Sequence, residues 1–272
     1  MCCTLERAVL SKTILYVGEA KTEKHGVVHV LGYQNRVQNL SAGPNAMILP
    51  FPAIERMTKE NVIDTSACKN ILKNMESAIS PPVARGGLSL LGSRSLKSVQ
   101  IFEHDIYTVV LAKSALDIYD ALSEVPKLKR PPLNKKIFNA YDKWYREQNR
   151  PWQIMLCCFN NKDASVASPL LWWYKPMHPG TLFAPALDSH TGEVPNLNEP
   201  VPVDHTLVVS SQNLKNGSMV YFTDRIDEKV YPYLPNKVLG SQLDTFMRNG
   251  DFLWNIDEID NGQFRPMRVA RT

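Results

Sequence analysis

A chain of 272 residues is long enough for one large domain or two small ones, and a protein of this size buries roughly 70–75% of the surface its extended form exposes. An apolar fraction of 44% with 21% charged residues excludes a wholly disordered chain. Thirty-one basic against 27 acidic side chains leave a net charge of only +4, too small an excess to imply nucleic acid.

The opening MCCTLERAVLSKTILYVGEA is broken by Ser11 and Lys12 and carries no small-residue cleavage pattern, so no secretory leader is expected. Residues 12–20 and 26–33, rich in Val, Ile and Tyr, predict two strands joined by the polar loop KTEKH. A third strand at Ala46–Leu49 stops at Pro50 and Pro52, and connections this short favour antiparallel pairing. Over 65–79, Ile71, Leu72, Met75 and Ile79 recur at helical spacing, with Thr65 or Ser66 as the expected cap. The glycine-bearing run Arg85–Arg94 lacks the lysine arrangement of a nucleotide-triphosphate loop and reads as a surface loop.

Residues 97–112 suggest strand, reversal at Glu103-His104-Asp105, and strand. A helix is expected over Ser114–Leu122, and after the connector Lys127–Pro132 a second one runs from Leu133 to Tyr145, with Ile137, Tyr141, Trp144 and Tyr145 on one face. Strands are predicted at Trp152–Phe159, Pro169–Tyr174, Leu182–Leu187, Thr206–Ser210 and Met219–Phe222. In the first of these, Cys157 and Cys158 should point to opposite faces. Beyond residue 225, scattered aromatic and aliphatic anchors predict an ordered wrap over the core. The fold class expected is α+β: a mixed, mainly antiparallel sheet covered by two or three helices, with a loop-rich C-terminal wrap. The chain reads as a single domain over 1–272, with subdomains 1–130 and 131–272 as the alternative division.

The five cysteines cannot all pair within one chain, and mostly buried reduced thiols in a cytoplasmic protein are the plain expectation. One thiol is different: loss of Met1 exposes Cys2, whose thiol and free α-amine can serve as nucleophile and base. This Met-Cys opening resembles the start of N-terminal-nucleophile amidases, including choloylglycine hydrolases, and the resemblance implies an amide or ester hydrolase acting through Cys2. The arginine, aspartate and asparagine constellation of that family has no match here. His205 is the histidine that folding would have to bring to Cys2. Its neighbour Asp204 should leave the opposite face if both are extended.

Three other features bear on partners. Lys129, Arg130, Lys135 and Lys136 form the densest positive segment, within 127–136. It reads as a solvated connector and helix face, or alternatively as a weak nucleic-acid site. Trp172-Trp173-Tyr174 cannot all face one core from a single strand, so packing under the C-terminal wrap is the expected reading, and an aromatic at a binding lip or interface is the alternative. No stretch is apolar enough to cross a bilayer, His25 and His29 are too far apart in a strand to share one zinc ion, and no cofactor or metal site is implied.

The layout also resembles a group of uncharacterised bacterial proteins. The similarity rests on Cys2-Cys3, the strands through residue 33, the Pro-bounded element Ala46–Pro52, and the helix pair leading into Trp152–Phe159. It implies a fold shape and no site residues. The function expected from the sequence is therefore a non-catalytic interaction or assembly protein with a protein partner or a second copy of itself, and an N-terminal cysteine hydrolase is the alternative.

Overall fold

The long apolar–polar alternations of the first forty residues become a hairpin that organises the molecule. In the computed structural model, which describes residues 3–80 and 100–270, β2 (Ala8–Thr22) and β3 (Gly26–Asn39) pair antiparallel and turn back through Gly26, which sits at φ +62. The hairpin is the centre of an eight-stranded sheet. On one side β2 meets β15 (His205–Ser210), followed by β17 (Lys237–Gln242) and β16 (Ser218–Met219). On the other, β3 meets β12 (Leu170–Tyr174) and then β5 (Val62–Ile63), while β11 (Ser165–Val166) pairs with the far end of β3. The β2–β15 pair is parallel and the other pairings are antiparallel.

A second sheet of five strands runs β1 (Cys3–Thr4), β4 (Asn45–Phe51), β10 (Gln153–Phe159), β7 (Tyr107–Ala112), β6 (Gln100–His104). Sequence reading anticipated one continuous sheet, and here the structure differs: two sheets face each other. Alternate residues of both supply one buried cluster, with Met47, Leu49, Phe51, Val109, Leu111, Met155 and Cys157 against Leu15, Val17, Leu31, Trp172, Leu207 and Val209. Phe51 and Phe102 of the smaller sheet lie 6.1 Å and 5.9 Å, centroid to centroid, from Trp172 of the larger.

Helices then cover both outer faces. On the five-stranded sheet, α2 (Ala115–Ala121) and α3 (Lys135–Trp144) bury Ile118, Ile137, Phe138 and Tyr141 against Ile48, Val110, Ile154, Leu156 and Cys158. Ser114 caps α2 by accepting the amide of Asp117, and Asn134 caps α3 by accepting those of Lys136 and Ile137. On the eight-stranded sheet, α1 (Ile71–Ile79) buries Ile71, Leu72 and Met75 against Tyr16, Val30, Leu171 and Val208, beside Val220, Val230, Tyr233 and Leu234 of the loop-rich C-terminal region. The fold is α+β, with a mixed, mainly antiparallel strand set, a few helices and a loop-rich C-terminal part. Cys157 and Cys158 point to opposite faces of β10, as strand geometry requires.

Smaller elements complete the frame. β13 (Thr181–Ala184), β19 (Asp251–Asn255) and β20 (Met267–Val269) form a three-stranded sheet. β14 (Pro200–Val203) pairs with β18 (Thr245–Arg248), and β8 (Arg146–Glu147) with β9 (Arg150–Pro151). The short α4 (Ile256–Asp260) places Ile256 and Ile259 in the inter-sheet cluster. Both large sheets combine strands from before and after residue 131. Among the described residues no helix is long and apolar enough to cross a membrane.

Candidate functional site

A bulge in β2 borders a concave feature of the described residues. Ser11 pairs with Arg36 and Ile14 with Gln34, so Lys12 and Thr13 together oppose the single residue Asn35. Lys12 takes φ 51, a left-handed conformation that a lysine rarely adopts. The irregularity borders a cleft of about 470 Å3, whose walls come from the bulge (Lys12, Ile14), the facing stretch Gln34–Arg36, Lys73 and Glu76 of α1, Asp204 and Thr206 at the start of β15, and Gln242–Asp244. That volume lies within the ~300–1,000 Å3 typical of ligand sites.

Its charges fall into two groups. Two of the three carboxylates are engaged inside the chain: the Thr206 hydroxyl donates to Glu76 Oε1 at 2.6 Å, and Asp204 Oδ2 accepts the Lys12 amide at 3.4 Å. Asp204 Oδ1 also lies 3.2 Å from His205 Nδ1. Burial alone would raise the Asp204 carboxyl, but the His205 hydrogen bond and the Lys12 amide bring it below the usual range. Lys12, Arg36 and Lys73, by contrast, have no side-chain hydrogen bond or ion pair among the described residues, and neither does Asp244. On the cleft wall Gln34, only 4% exposed, donates Nε2 to the Ala167 carbonyl at 2.9 Å, and its Oε1 finds no partner among those residues.

The groups nominated for cysteine chemistry are arranged differently. Cys2 lies outside the described residues, as does the Arg85–Arg94 run. Cys3 is wholly buried, paired in β1 with Ile48 and bridged to Ser189. Cys68, Cys157 and Cys158 are buried too. Burial pushes the Cys68 thiol up and takes Cys158 to about 12. His205 has no exposed surface, and burial lowers its pKa to about 4 despite the nearby Asp204 carboxylate. The expectation that Asp204 and His205 diverge is corrected: Asp204 stands just outside β15, in the one-residue gap after β14, so the strand rule of alternating faces does not govern it.

The aromatic triplet is also enclosed. Leu170, Trp172 and Tyr174 face the inter-sheet cluster, while Leu171 and Trp173 face the α1 cluster. Because both faces of this sheet are covered, alternation buries every member and leaves no aromatic lip. Trp173, the least buried, stacks on His25 at 3.9 Å and donates Nε1 to the Glu60 carbonyl at 3.0 Å. The basic segment lies on the opposite side of the molecule from the cleft, with α2 and α3, and is partly occupied by its own chain. Lys129 pairs with Glu103 at 2.7 Å. Arg130 donates to the carbonyls of Val125 and Ser123, and Lys135 lies 5.9 Å from the Tyr119 ring centre. Lys136 is exposed.

Sequence reading missed a second polar cluster. Asp251, fully buried, accepts the Ala186 amide at 2.9 Å and the Tyr145 hydroxyl at 3.0 Å. Arg268 lies over the Phe252 ring at 4.3 Å and donates to the Arg248 and Ala186 carbonyls, and burial lowers it to about 10. This knot ties the C-terminal strand to the end of α3. Among the described residues no three His, Cys, Asp or Glu side chains are grouped to hold a metal ion.

No protein-family model and no curated protein matches the chain. Solved structures do align with it over most of its length. The crystal structure of baculovirus P35 aligns at 16% identity and a TM-score of 0.47, covering 91% of this chain and 96% of that one. A mutated baculovirus P35 after caspase cleavage aligns at 13% and 0.45, covering 91% of each. P35 in the caspase-8/P35 complex aligns at 13% and 0.46, covering 92% of this chain and 89% of that one.

Proposed function

We propose that the chain works by binding another protein and carries out no chemistry on it. The observation that supports this reading most directly is the cleft at the β2 bulge. It is a preformed concavity on two long strands and a helix, and its walls mix charges of both signs, amides and the Thr206 hydroxyl with the apolar side chains of Ile14, Val166 and Leu243. Such walls recognise a surface by charge and hydrogen bonding. The described thiols and the His205 imidazole, which a nucleophile-and-base mechanism would use, are turned into the core.

The experiment is affinity capture of the whole chain under cross-linking, identification of what is captured, and reconstitution with the purified partner. A saturable complex is the expected result, unchanged in a Cys2→Ala variant. Sedimentation over a range of concentrations covers the homo-oligomeric form. Turnover of an amide or ester that disappears in Cys2→Ala would overturn the reading in favour of the N-terminal cysteine hydrolase.

A further inference from the structure

Asparagine followed by glycine is a chemically labile dipeptide, because glycine has no Cβ to hinder attack by its own amide nitrogen on the asparagine side chain. The pair occurs three times, at Asn216-Gly217, Asn249-Gly250 and Asn261-Gly262, and the fold treats the three differently. Asn249 is 1% exposed. Its Oδ1 accepts the Asp188 amide at 2.8 Å, and its Nδ2 donates to the carbonyls of Asp188 and Asn196. Asn261 is exposed but fixed: its Nδ2 donates to the Asp257 carbonyl at 2.8 Å. The Gly262 amide, the nitrogen that would attack, donates to the Ile259 carbonyl at 2.8 Å. Asn216 is exposed, lies in a bend outside helix and strand, and makes no side-chain hydrogen bond among the described residues. The Gly217 amide has no partner among them either. Val220 donates to the Asn236 carbonyl at 3.0 Å, so alternation along β16 turns the amides of 218 and 220 toward β17 and that of Gly217 toward the open edge.

We infer that Asn216 is a self-modification site, closing on Gly217 to a succinimide that opens to isoaspartate and aspartate. The Gly217 nitrogen gives its proton to solvent base and bonds to Asn216 Cγ, the Cγ–Nδ2 bond breaks, and the side-chain nitrogen leaves as ammonia. One water then opens the ring. Attack at Cγ gives aspartate, and attack at the main-chain carbonyl gives isoaspartate. One water is consumed and one ammonia released, so the step needs no oxidant and no enzyme. Isoaspartate lengthens the main chain by one carbon just before β16, where space is short: a Cβ on Gly217 would stand 2.8 Å from Leu214 Cδ2 and 2.9 Å from the Val238 carbonyl oxygen. The displacement falls on the Ser218–Val238 and Met219–Lys237 pairs and on Val220, which is buried in the α1 cluster. The site sets a chemical lifetime on the C-terminal cover of α1, independently of what the cleft binds.

The test ages the whole chain in mildly alkaline buffer and maps its peptides by mass spectrometry, with enzymatic isoaspartyl methylation to mark the isomer. Conversion at Asn216 should outrun that at Asn249 and Asn261 by at least roughly tenfold, since those two react only after local opening. The same chain aged in urea should lose that ranking, which separates the effect of the fold from that of flanking sequence. Asn216→Gln is the control variant, because its longer side chain closes a ring far more slowly and its exposed position tolerates the change. In the aged wild-type chain, hydrogen exchange at the Val220 amide should quicken by at least about threefold, and in the aged Asn216→Gln chain it should stay as it was. Four outcomes would each overturn the inference. They are an intact Asn216 in the folded chain when the urea-treated chain has reacted, equal conversion at Asn249 or Asn261 in the folded chain, the same ranking in urea, and Val220 exchange unmoved once Asn216 has converted.

Discussion

His29 and His205 are held neutral by burial, each with its pKa lowered to about 4. An unfolded histidine titrates near 6.5, so between those values the unfolded chain carries the extra proton. Stability should therefore be complete above about pH 6.5 and fall as the pH drops toward 4, by about 3 kcal/mol per histidine at most. Urea midpoints compared at pH 7 and pH 4.5 check this, and identical midpoints would refute it. Tyr145 belongs to the same scale. Its hydroxyl donates to the buried carboxylate of Asp251, so Tyr145→Phe removes a donor where water cannot replace it. A cost of about 1–3 kcal/mol in denaturant unfolding is expected, with partner binding at the distant cleft unaffected.

At the scale of elements, close approach fixes one position of β17. A Cβ on Gly240 would stand 2.4 Å from the Leu207 carbonyl oxygen and 2.6 Å from Ile79 Cδ1 of α1. Gly240→Ala must push apart either two paired strands or the sheet and its covering helix, and a loss of about 1–3 kcal/mol is expected by thermal or urea unfolding. Leu72→Ala, which empties the centre of the α1 contact, should cost about 2–5 kcal/mol. These elements were largely legible beforehand. The spacing of Ile137 and Tyr141 marked α3, and the apolar stretch around Cys157 marked β10. The start of α1 was not. Thr65 looks like a cap in the sequence, but its hydroxyl donates to the Pro169 carbonyl and the helix begins at Ile71. A tertiary acceptor more than a hundred residues away cannot be read from local pattern. In the triplet Trp172–Tyr174 alternation shows only that neighbours take opposite faces; the cover that α1 and the C-terminal segment around Tyr233 give the second face decides for packing over a lip.

At the scale of the molecule, the candidate site was invisible in the sequence because its walls are drawn from segments between Lys12 and Asp244. No motif spans such a distance, and the local signal, a lysine in a left-handed bulge, has no compositional signature. The same interleaving governs how the chain can be divided. β4 lies between β1 and β10, and β2 lies between β3 and β15. Residues 1–130 and 131–272 expressed apart should each lack native circular dichroism and a cooperative melt, since each is missing neighbours for its central strands. A fragment that unfolds cooperatively on its own would contradict this.

The parallel union of β2 with β15 joins Thr13–Gly18 to His205–Ser210 across more than two thirds of the chain. On the ribosome the early hairpin emerges with one of its rims bare, and it must wait for most of the remaining polypeptide before that rim is closed. Until then it presents unbonded amides and carbonyls to any extended strand nearby. Nascent chains stalled before codon 205 should therefore be sticky, chaperone-dependent species, and release of the full-length product should abolish that dependence.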